Sequence, residues 1–294
     1  MTSDILILTG TTCSGKSALA LELAATRPAV IINADAMQMY RELRIITARP
    51  TAEEEAQTEH ALYGVLDATT NGSVKLWLEM VLPVIAHARA ESRLPVLVGG
   101  TGMYLKALME GINDIPPIPD DVRAAVRSTE NIYDALQAKD PVMAARLKPG
   151  DTQRILRALE VMEATGESLA SFQEKPTTPP LPDARFHVCF VDKPRAEIYA
   201  RIDARFLQMM EQGALEEVRA LMEMRLPESQ PLMRAHGVPE LIRYLQGTMT
   251  QEEAVAKGQQ NTRNYAKRQI TWLRNQFPSA QAIDKYEQFG RIFT

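Results

Sequence analysis

Cysteine is scarce in this sequence. The 294 residues include two, Cys13 and Cys189, which are too few for a disulfide framework or a cysteine-rich metal cluster. No apolar run is long enough to span a bilayer, and the N-terminus lacks the basic, apolar and small-residue order of a signal peptide. We therefore expect a soluble, cytoplasmic protein with no membrane partner.

The sequence also has little net charge. Its formal charge of −4 gives no overall positive field that would attract nucleic acid, so any contact with RNA must come from a local basic patch. Hydrophobic residues make up 45% of the chain, which is enough for a substantial core in one large domain or in two.

A complete phosphate-binding pattern stands near the start of the chain. It reads G-x-x-x-x-G-K-S and consists of Gly10, Thr11, Thr12, Cys13, Ser14, Gly15, Lys16 and Ser17, which we call the phosphate loop. An apolar run precedes it and a helical pattern follows, which is the strand–turn–helix context that such a loop requires. Backbone N–H groups and the helix dipole would hold phosphate, Lys16 adds a cation, and Ser17 can place its hydroxyl on Mg²⁺.

A carboxylate follows the second apolar run, residues 29–33. In an open parallel sheet, Asp35 would lie at the carboxyl edge beside the phosphate loop, where such folds bind their ligands. Asp35 is a candidate general base. Two other roles, helix N-cap and magnesium ligand, are together about equally favoured for this residue. Asp192 follows a strand predicted over residues 186–191, where a turn before Pro194 is favoured over a metal site.

The third predicted strand, residues 95–98, ends in Gly99 and Gly100. Many phosphate-loop NTPases place an Asp there to hold magnesium, so the glycines argue against an ATPase. Strands that alternate with helices predict an α/β fold, a P-loop NTPase-like parallel sheet flanked by helices.

Two proline clusters, residues 116–119 and 176–182, enclose a stretch of helical pattern. They predict an inserted α-helical subdomain at residues 113–182 and a core formed by residues 1–112 and 183–294. Within the insert, Asp151 is the predicted N-cap of a helix that Gly166 ends. Arg154 and Arg157 project from that helix and are either solvated surface or phosphate ligands.

Residues 262–274 predict an amphipathic helix near the end of the chain. One side carries Tyr265, Ile270, Trp272 and Leu273, together with Phe277 just beyond; the other carries Arg263, Lys267, Arg268 and Arg274. This is the strongest basic stripe in an acidic chain, and it indicates an RNA partner.

Five separated stretches resemble tRNA dimethylallyltransferases: residues 10–17, 32–40, 97–108, 153–161 and 262–274. The resemblance extends over nearly the whole chain. It implies transfer of the dimethylallyl group of dimethylallyl diphosphate to N6 of the adenosine just 3′ of the tRNA anticodon, with Mg²⁺ as cofactor. It also implies that the inserted subdomain clasps the anticodon stem-loop. We expect the chain to act as a monomer.

The resemblance assigns roles to individual residues. The phosphate loop would hold the diphosphate, with Ser17 on the metal; Asp35 would be the general base, and Lys16, Ser17 and Arg205 would complete the catalytic set. It predicts tRNA contacts at Asp35, Ala36, Met37, Gln38, Thr101, Arg123, Gln153, Arg154, Ile155, Leu156, Arg157, Lys267, Arg268 and Arg274.

The sequence departs from the common family pattern at two places. It has His60-Ala61 where many relatives have two histidines, and Gly237-Val238-Pro239 where many have Gly-Tyr-Arg. Two other functions share single features with the chain. A small-molecule or nucleotide kinase would share the phosphate loop, and a non-catalytic RNA-binding protein would share the basic stripe.

Overall fold

Six parallel strands form the central sheet of the computed structural model, which describes residues 4–292. The strands lie in the order β3-β2-β4-β1-β5-β6, and every neighbouring pair is parallel. Their bounds are β1 Asp4–Gly10, β2 Ala29–Asn33, β3 His60–Ala61, β4 Leu94–Gly99, β5 Arg185–Val191 and β6 Gln281–Ile283. The predicted parallel α/β fold is therefore confirmed.

Helices connect the strands. Their bounds are α1 Lys16–Ala24, α2 Ala52–Glu55, α3 Val74–Ala90, α4 Gly102–Glu110, α5 Asp120–Arg127, α6 Ile132–Lys139, α7 Pro141–Arg146, α8 Thr152–Thr165, α9 Leu169–Glu174, α10 Arg195–Glu211, α11 Ala214–Glu223, α12 Val238–Leu245 and α13 Gln251–Gln276. Short 3-10 helices lie at Met37–Met39, Pro231–Arg234 and Tyr286–Arg291. No described helix is long and apolar enough to cross a membrane.

The sheet is buried on both faces. In β1, Ile5 and Ile7 point into one apolar cluster with α3, while Leu6 and Leu8 point into another with α1. Side chains alternate between faces along a strand, so a run of apolar residues fits a sheet covered on both sides. Because the strands are parallel, β1, β2 and β4 all end at one edge of the sheet.

The chain divides into two compact units, residues 1–109 with 181–294, and residues 110–180. The second unit is built from α5 to α9 around its own apolar cluster, to which Leu136, Ile155 and Phe172 belong. Its limits are a few residues from those predicted for the inserted subdomain.

Helix α8 of this second unit ends as predicted, at Gly166 with a left-handed φ of 71°. Asp151 stands at its N-cap position, as predicted, although its side chain makes no capping hydrogen bond.

The predicted amphipathic helix is the last part of α13, and its buried face differs from the prediction. Ala254, Gly258, Thr262, Ala266, Gln269 and Leu273 are the buried residues. Tyr265, Ile270 and Trp272 are only half-buried. The difference arises because the core packs against the small residues of this helix, and small residues let two backbones approach closely.

Candidate active site

The phosphate loop joins β1 to α1 at the carboxyl edge of the sheet. Gly15 has a φ of 98°, a left-handed conformation that few other residues adopt without strain. Helix α1 begins at the next residue, so its first N–H groups, which lack partners within the helix, open toward the loop. This arrangement suits a bound anion.

Lys16 is folded back onto its own loop. Its Nζ donates hydrogen bonds to the carbonyl oxygens of Gly10 at 3.1 Å and Thr11 at 2.6 Å. Burial lowers the pKa of Lys16 to about 8, although the nearby negative charge of Asp35 opposes this shift. Negative charge on a ligand in the loop would favour the protonated form.

Helix α10 brings two arginines to the loop. Arg205 donates to the hydroxyl of Thr12 at 2.6 Å. Arg201, one turn earlier, makes an ion pair with Glu197 at 2.7 Å, and its Nη1 would lie 3.8 Å from a Cβ placed on Gly15. Arg201 therefore adds to the site a cation that was not predicted from the sequence.

Asp35 and Lys16 line the same cavity. Its volume is about 850 Å³, and its wall includes Ser17, Arg201 and Arg205. The sequence predicted that β1 and β2 would bring Lys16 and Asp35 together, and the structure places them there.

A network of buried and partly buried hydrogen bonds fixes the backbone at Asp35. The side chain of Asn33 accepts from the Asp35 N–H at 2.8 Å and donates to the carbonyls of Asp35 and Leu62, each at 3.0 Å. Trp77 donates through its indole N–H to the carbonyl of Asn33 at 2.9 Å. Asn33 was not recognised from the sequence, where it read as the last residue of a strand.

One oxygen of the Asp35 carboxylate, Oδ1, accepts the N–H of Met37 at 3.0 Å. This contact closes a turn before the 3-10 helix Met37–Met39, whose N-cap residue is Ala36, so Asp35 is not the helix N-cap considered as an alternative. The other oxygen has no hydrogen-bond partner among residues 4–292, so the turn leaves it available for a proton. Thr101 supports the same turn, since its hydroxyl accepts the N–H of Ala36 at 2.9 Å.

Gln38 is also predicted to contact tRNA, yet its amide faces the protein. Its Nε2 donates to the carbonyls of Thr47 at 2.9 Å and Ala48 at 2.8 Å, which form part of the cavity wall. Ala36 and Met37 are half-buried beside it.

The predicted tRNA residues of the helical unit differ in exposure. Gln153 and Arg154 are exposed, and Arg157 lies 3.7 Å from Glu160. Arg123 and Leu156 are half-buried. Ile155 is fully buried in the core of this unit, so the prediction that it contacts tRNA is corrected: its side chain supports the helix from inside.

Two cations of the predicted basic stripe are paired with acids. Arg263 makes an ion pair with Asp203, and Arg274 makes one with Asp192 at 3.1 Å. Asp203 lies in α10 and Asp192 directly follows β5, so the sequence of α13 could not reveal either partner. Lys267 and Arg268, the other two cations of the predicted stripe, are exposed.

Aromatic groups lie beside this positive surface. The rings of Tyr265 and His236 are 4.4 Å apart, and the Arg268 guanidinium is 5.9 Å from the Tyr265 ring centre. Burial lowers the pKa of His236, and the charge of Arg268 lowers it further, while the charges of Glu240 and Asp35 oppose both effects. His236 therefore favours its neutral form.

The two departures from the family pattern have structural roles. His60 lies in β3, and its Nδ1 is 2.9 Å from the carbonyl oxygen of Thr58, as expected of a structural histidine. Gly237, Val238 and Pro239 form the start of α12.

Gln269 is a residue of the site that sequence reasoning did not assign. It is 6% exposed and lines the cavity from α13. Its position, three residues after Ala266 and four before Leu273, lies on the buried face of the helix, where a polar side chain is unusual.

Comparisons with known proteins agree with one another. A family model described as IPP transferase matches residues 38–276, and one described as isopentenyl transferase matches residues 3–63. The chain is 51% identical over 279 residues to a tRNA dimethylallyltransferase of Methylocella silvestris, and the match covers 93% of this chain and 92% of that protein.

Two solved structures are similar along most of the chain. One is the tRNA isopentenylpyrophosphate transferase of Bacillus halodurans, with a TM-score of 0.69 and 31% identity, covering 96% of this chain and 90% of that one. The other is a eukaryotic dimethylallyltransferase acting on tRNA, with a TM-score of 0.76 and 27% identity, covering 92% of this chain and 69% of that one.

Proposed function

The chain belongs to the IPP transferase family, and from this premise we propose that it transfers a dimethylallyl group from dimethylallyl diphosphate to tRNA. The acceptor is N6 of the adenosine just 3′ of the anticodon, and diphosphate is released. The observation that carries the proposal is the shared cavity, in which the carboxylate of Asp35 and the ammonium of Lys16 both lie.

The phosphate loop would hold the diphosphate through its backbone N–H groups. Lys16 would turn from the carbonyls of Gly10 and Thr11 toward the phosphate oxygens. Arg205 stands beside the loop on Thr12 and would stabilise the charge that develops on the leaving group.

Mg²⁺ fits this site through Ser17, whose side chain lines the cavity beside Lys16. The described residues hold no group of three or more His, Cys, Asp or Glu that could bind a metal by themselves. A Mg²⁺ ion suits such a site because it keeps several waters and binds substrate phosphates. When bound, it would neutralise negative charge on the departing diphosphate.

Asp35 would serve as the general base. As N6 forms a bond to the allylic carbon, the bond from that carbon to the diphosphate oxygen breaks and N6 loses a proton. The free oxygen of the Asp35 carboxylate would accept this proton, while Oδ1 holds the turn through Met37. Asn33 would keep the carboxylate in place through the backbone.

The adenine must leave its stack to reach Asp35. Lys267 and Arg268 on α13, with Arg123, Gln153, Arg154 and Arg157 of the helical unit, are the residues we propose to contact the anticodon stem-loop. We also propose that the chain acts as a monomer.

The test is a transfer reaction with dimethylallyl diphosphate and tRNA whose anticodon is followed by adenosine. We expect mass spectrometry to show one added dimethylallyl group on that nucleoside. Asp35→Asn should lower kcat by about 10²–10⁴-fold, because it removes the base and keeps the shape, while tRNA affinity changes little.

Asp284→Asn is the matched control, since Asp284 is exposed and follows β6 outside the cavity, and its kcat should equal that of the parent. A near-parent rate for Asp35→Asn would assign Asp35 to the turn alone. Transfer of the γ-phosphate of ATP, without any tRNA product, would favour a kinase.

A further inference from the structure

Gln269 connects three parts of the fold through its carboxamide. Oε1 accepts the backbone N–H of Thr12 in the phosphate loop at 3.0 Å. Nε2 donates to the carbonyl of Gly100, after β4, at 3.3 Å. Both partners are backbone groups of loops at the carboxyl edge of the sheet, and the glutamine itself belongs to α13.

The glycines after β4 permit this contact. A Cβ on Gly100 would overlap the amide nitrogen of Gln269, and a Cβ on Gly102 would overlap the ring of Trp272. Helix α13 therefore lies directly against the turn where many phosphate-loop enzymes carry an aspartate. The missing aspartate leaves room for this helix and its glutamine.

Two polar groups of Thr12, its backbone N–H and its hydroxyl, are held by other elements. Gln269 fixes its backbone N–H from α13, and Arg205 fixes its hydroxyl from α10. Thr12 precedes the residues Cys13 to Ser17 that form the rest of the phosphate loop. The orientation of its peptide sets the direction in which the following N–H groups point.

We propose that Gln269 is a positioning residue for the diphosphate, one that holds the phosphate loop in its anion-binding shape and ties it to the helix that carries Lys267 and Arg268. The inference rests on the proposed function, because it assigns diphosphate to this loop. Gln269 acts through Thr12 and is not itself a catalytic residue.

The chemistry of the contact requires an amide. The side chain must accept a hydrogen bond from one backbone group and donate one to another at the same time. Methionine has a similar length and can do neither. An ionised glutamate can accept from Thr12 but cannot donate to Gly100, whereas a protonated glutamate can do both.

The test uses calorimetry to measure how tightly the full chain binds inorganic diphosphate in the presence of Mg²⁺ and without tRNA. We expect Gln269→Met to bind about tenfold more weakly than the parent, because one buried and one partly buried hydrogen bond are lost. Gln260→Met, an exposed position on the same helix, is the matched control and should bind as the parent does.

Gln269→Glu gives a second and reversible measurement. Its affinity should be well below the parent's at a pH of about 8 and should approach it as the pH falls to about 5, since burial raises the pKa of a carboxyl group toward this range. The ratio to the parent at each pH removes the titration of diphosphate itself. A role in packing alone would give no such recovery.

Gln269→Met should bind an isolated anticodon stem-loop, without diphosphate, within about twofold of the parent. The substitution leaves Lys267 and Arg268 in place, and these cations are the proposed phosphate contacts on α13. The inference is overturned if Gln269→Met binds diphosphate like the parent. It is also overturned if the substitution lowers diphosphate affinity, stem-loop affinity and the thermal unfolding midpoint together, because that result would mean a general loss of stability. Failure of the parent chain to bind diphosphate would overturn the proposed function itself, and this inference with it.

Discussion

Two opposing effects act on the pKa of a single residue, Lys16: burial lowers it and a bound anion raises it. Its ammonium group is taken out of water by the loop, and this lowers its pKa to about 8. The loop carbonyls of Gly10 and Thr11 hold the proton in the free protein. A bound diphosphate supplies negative charge that raises the pKa again, so proton uptake and ligand binding are linked.

We therefore predict that the contribution of Lys16 to diphosphate affinity depends on pH. The protonated form binds the anion, so the contribution is complete below a pH of about 8 and falls as the pH rises above it, by roughly tenfold per unit at first. Calorimetry on the parent and on Lys16→Met over this range measures it. The two affinities should converge at high pH, because the parent then binds with a neutral lysine.

The comparison with Lys16→Met removes the titration of the ligand and of the other groups in the cavity. A constant ratio between the two affinities up to a pH of about 10 would mean that the pKa of Lys16 in the free protein is not lowered.

The small residues of α13 decide how closely this helix packs. Gly258 lies against the ring of Phe206 on α10, and a Cβ at Gly258 would overlap that ring. Alanine is the better helix former by about 1 kcal/mol, so the helix alone would favour the substitution. The packing opposes it, because a core without space must move to accept a methyl group.

We predict that Gly258→Ala lowers the free energy of unfolding by about 1–3 kcal/mol, as measured by urea denaturation. Gly258→Ala combined with Phe206→Leu should recover part of the loss, since the smaller side chain makes room. Gly150→Ala is the control: nothing lies within 4 Å of its added methyl group, and it should change stability by less than about 0.5 kcal/mol. A stabilised Gly258→Ala protein would show that α10 and α13 are loosely packed.

Elements with local signals were predictable from the sequence. Strand β1, the phosphate loop and α1 follow one another in the chain. Asp35 was predicted to lie beside Lys16 because the loop follows β1, Asp35 follows β2, and parallel strands end at the same edge of the sheet. The family predicted from five stretches is confirmed by the matches along the chain, as is the tRNA prenylation that it implies.

The features that the sequence did not reveal depend on distant partners. Gln269 bonds to residues 257 and 169 positions away, so its role has no local pattern. Arg263 and Arg274 read as free cations because Asp203 and Asp192 lie on other elements. Asn33 read as strand, although its side chain orders the turn that carries Asp35.

The whole molecule carries a net charge of −4, which opposes the approach of a polyanion. Binding of tRNA must therefore rely on local cations that release counterions from the phosphates. Of the four cations in the predicted stripe on α13, Lys267 and Arg268 are the stronger candidates, because Arg263 and Arg274 already have carboxylate partners. In the helical unit, Arg154 is exposed, and Arg157 is only weakly engaged by Glu160 at 3.7 Å.

We predict that Lys267→Ala/Arg268→Ala and Arg154→Ala/Arg157→Ala each weaken tRNA binding mainly at low salt, because each removed phosphate contact should reduce the slope of log K against log salt by roughly 0.7–0.9. Fluorescence anisotropy of a labelled anticodon stem-loop at several salt concentrations measures this slope. Arg219→Ala/Arg225→Ala removes the same charge from exposed positions at α11 and just after it, and it should leave the slope unchanged. If all three variants keep the slope of the parent, then Lys267, Arg268, Arg154 and Arg157 are solvated surface and tRNA binds elsewhere.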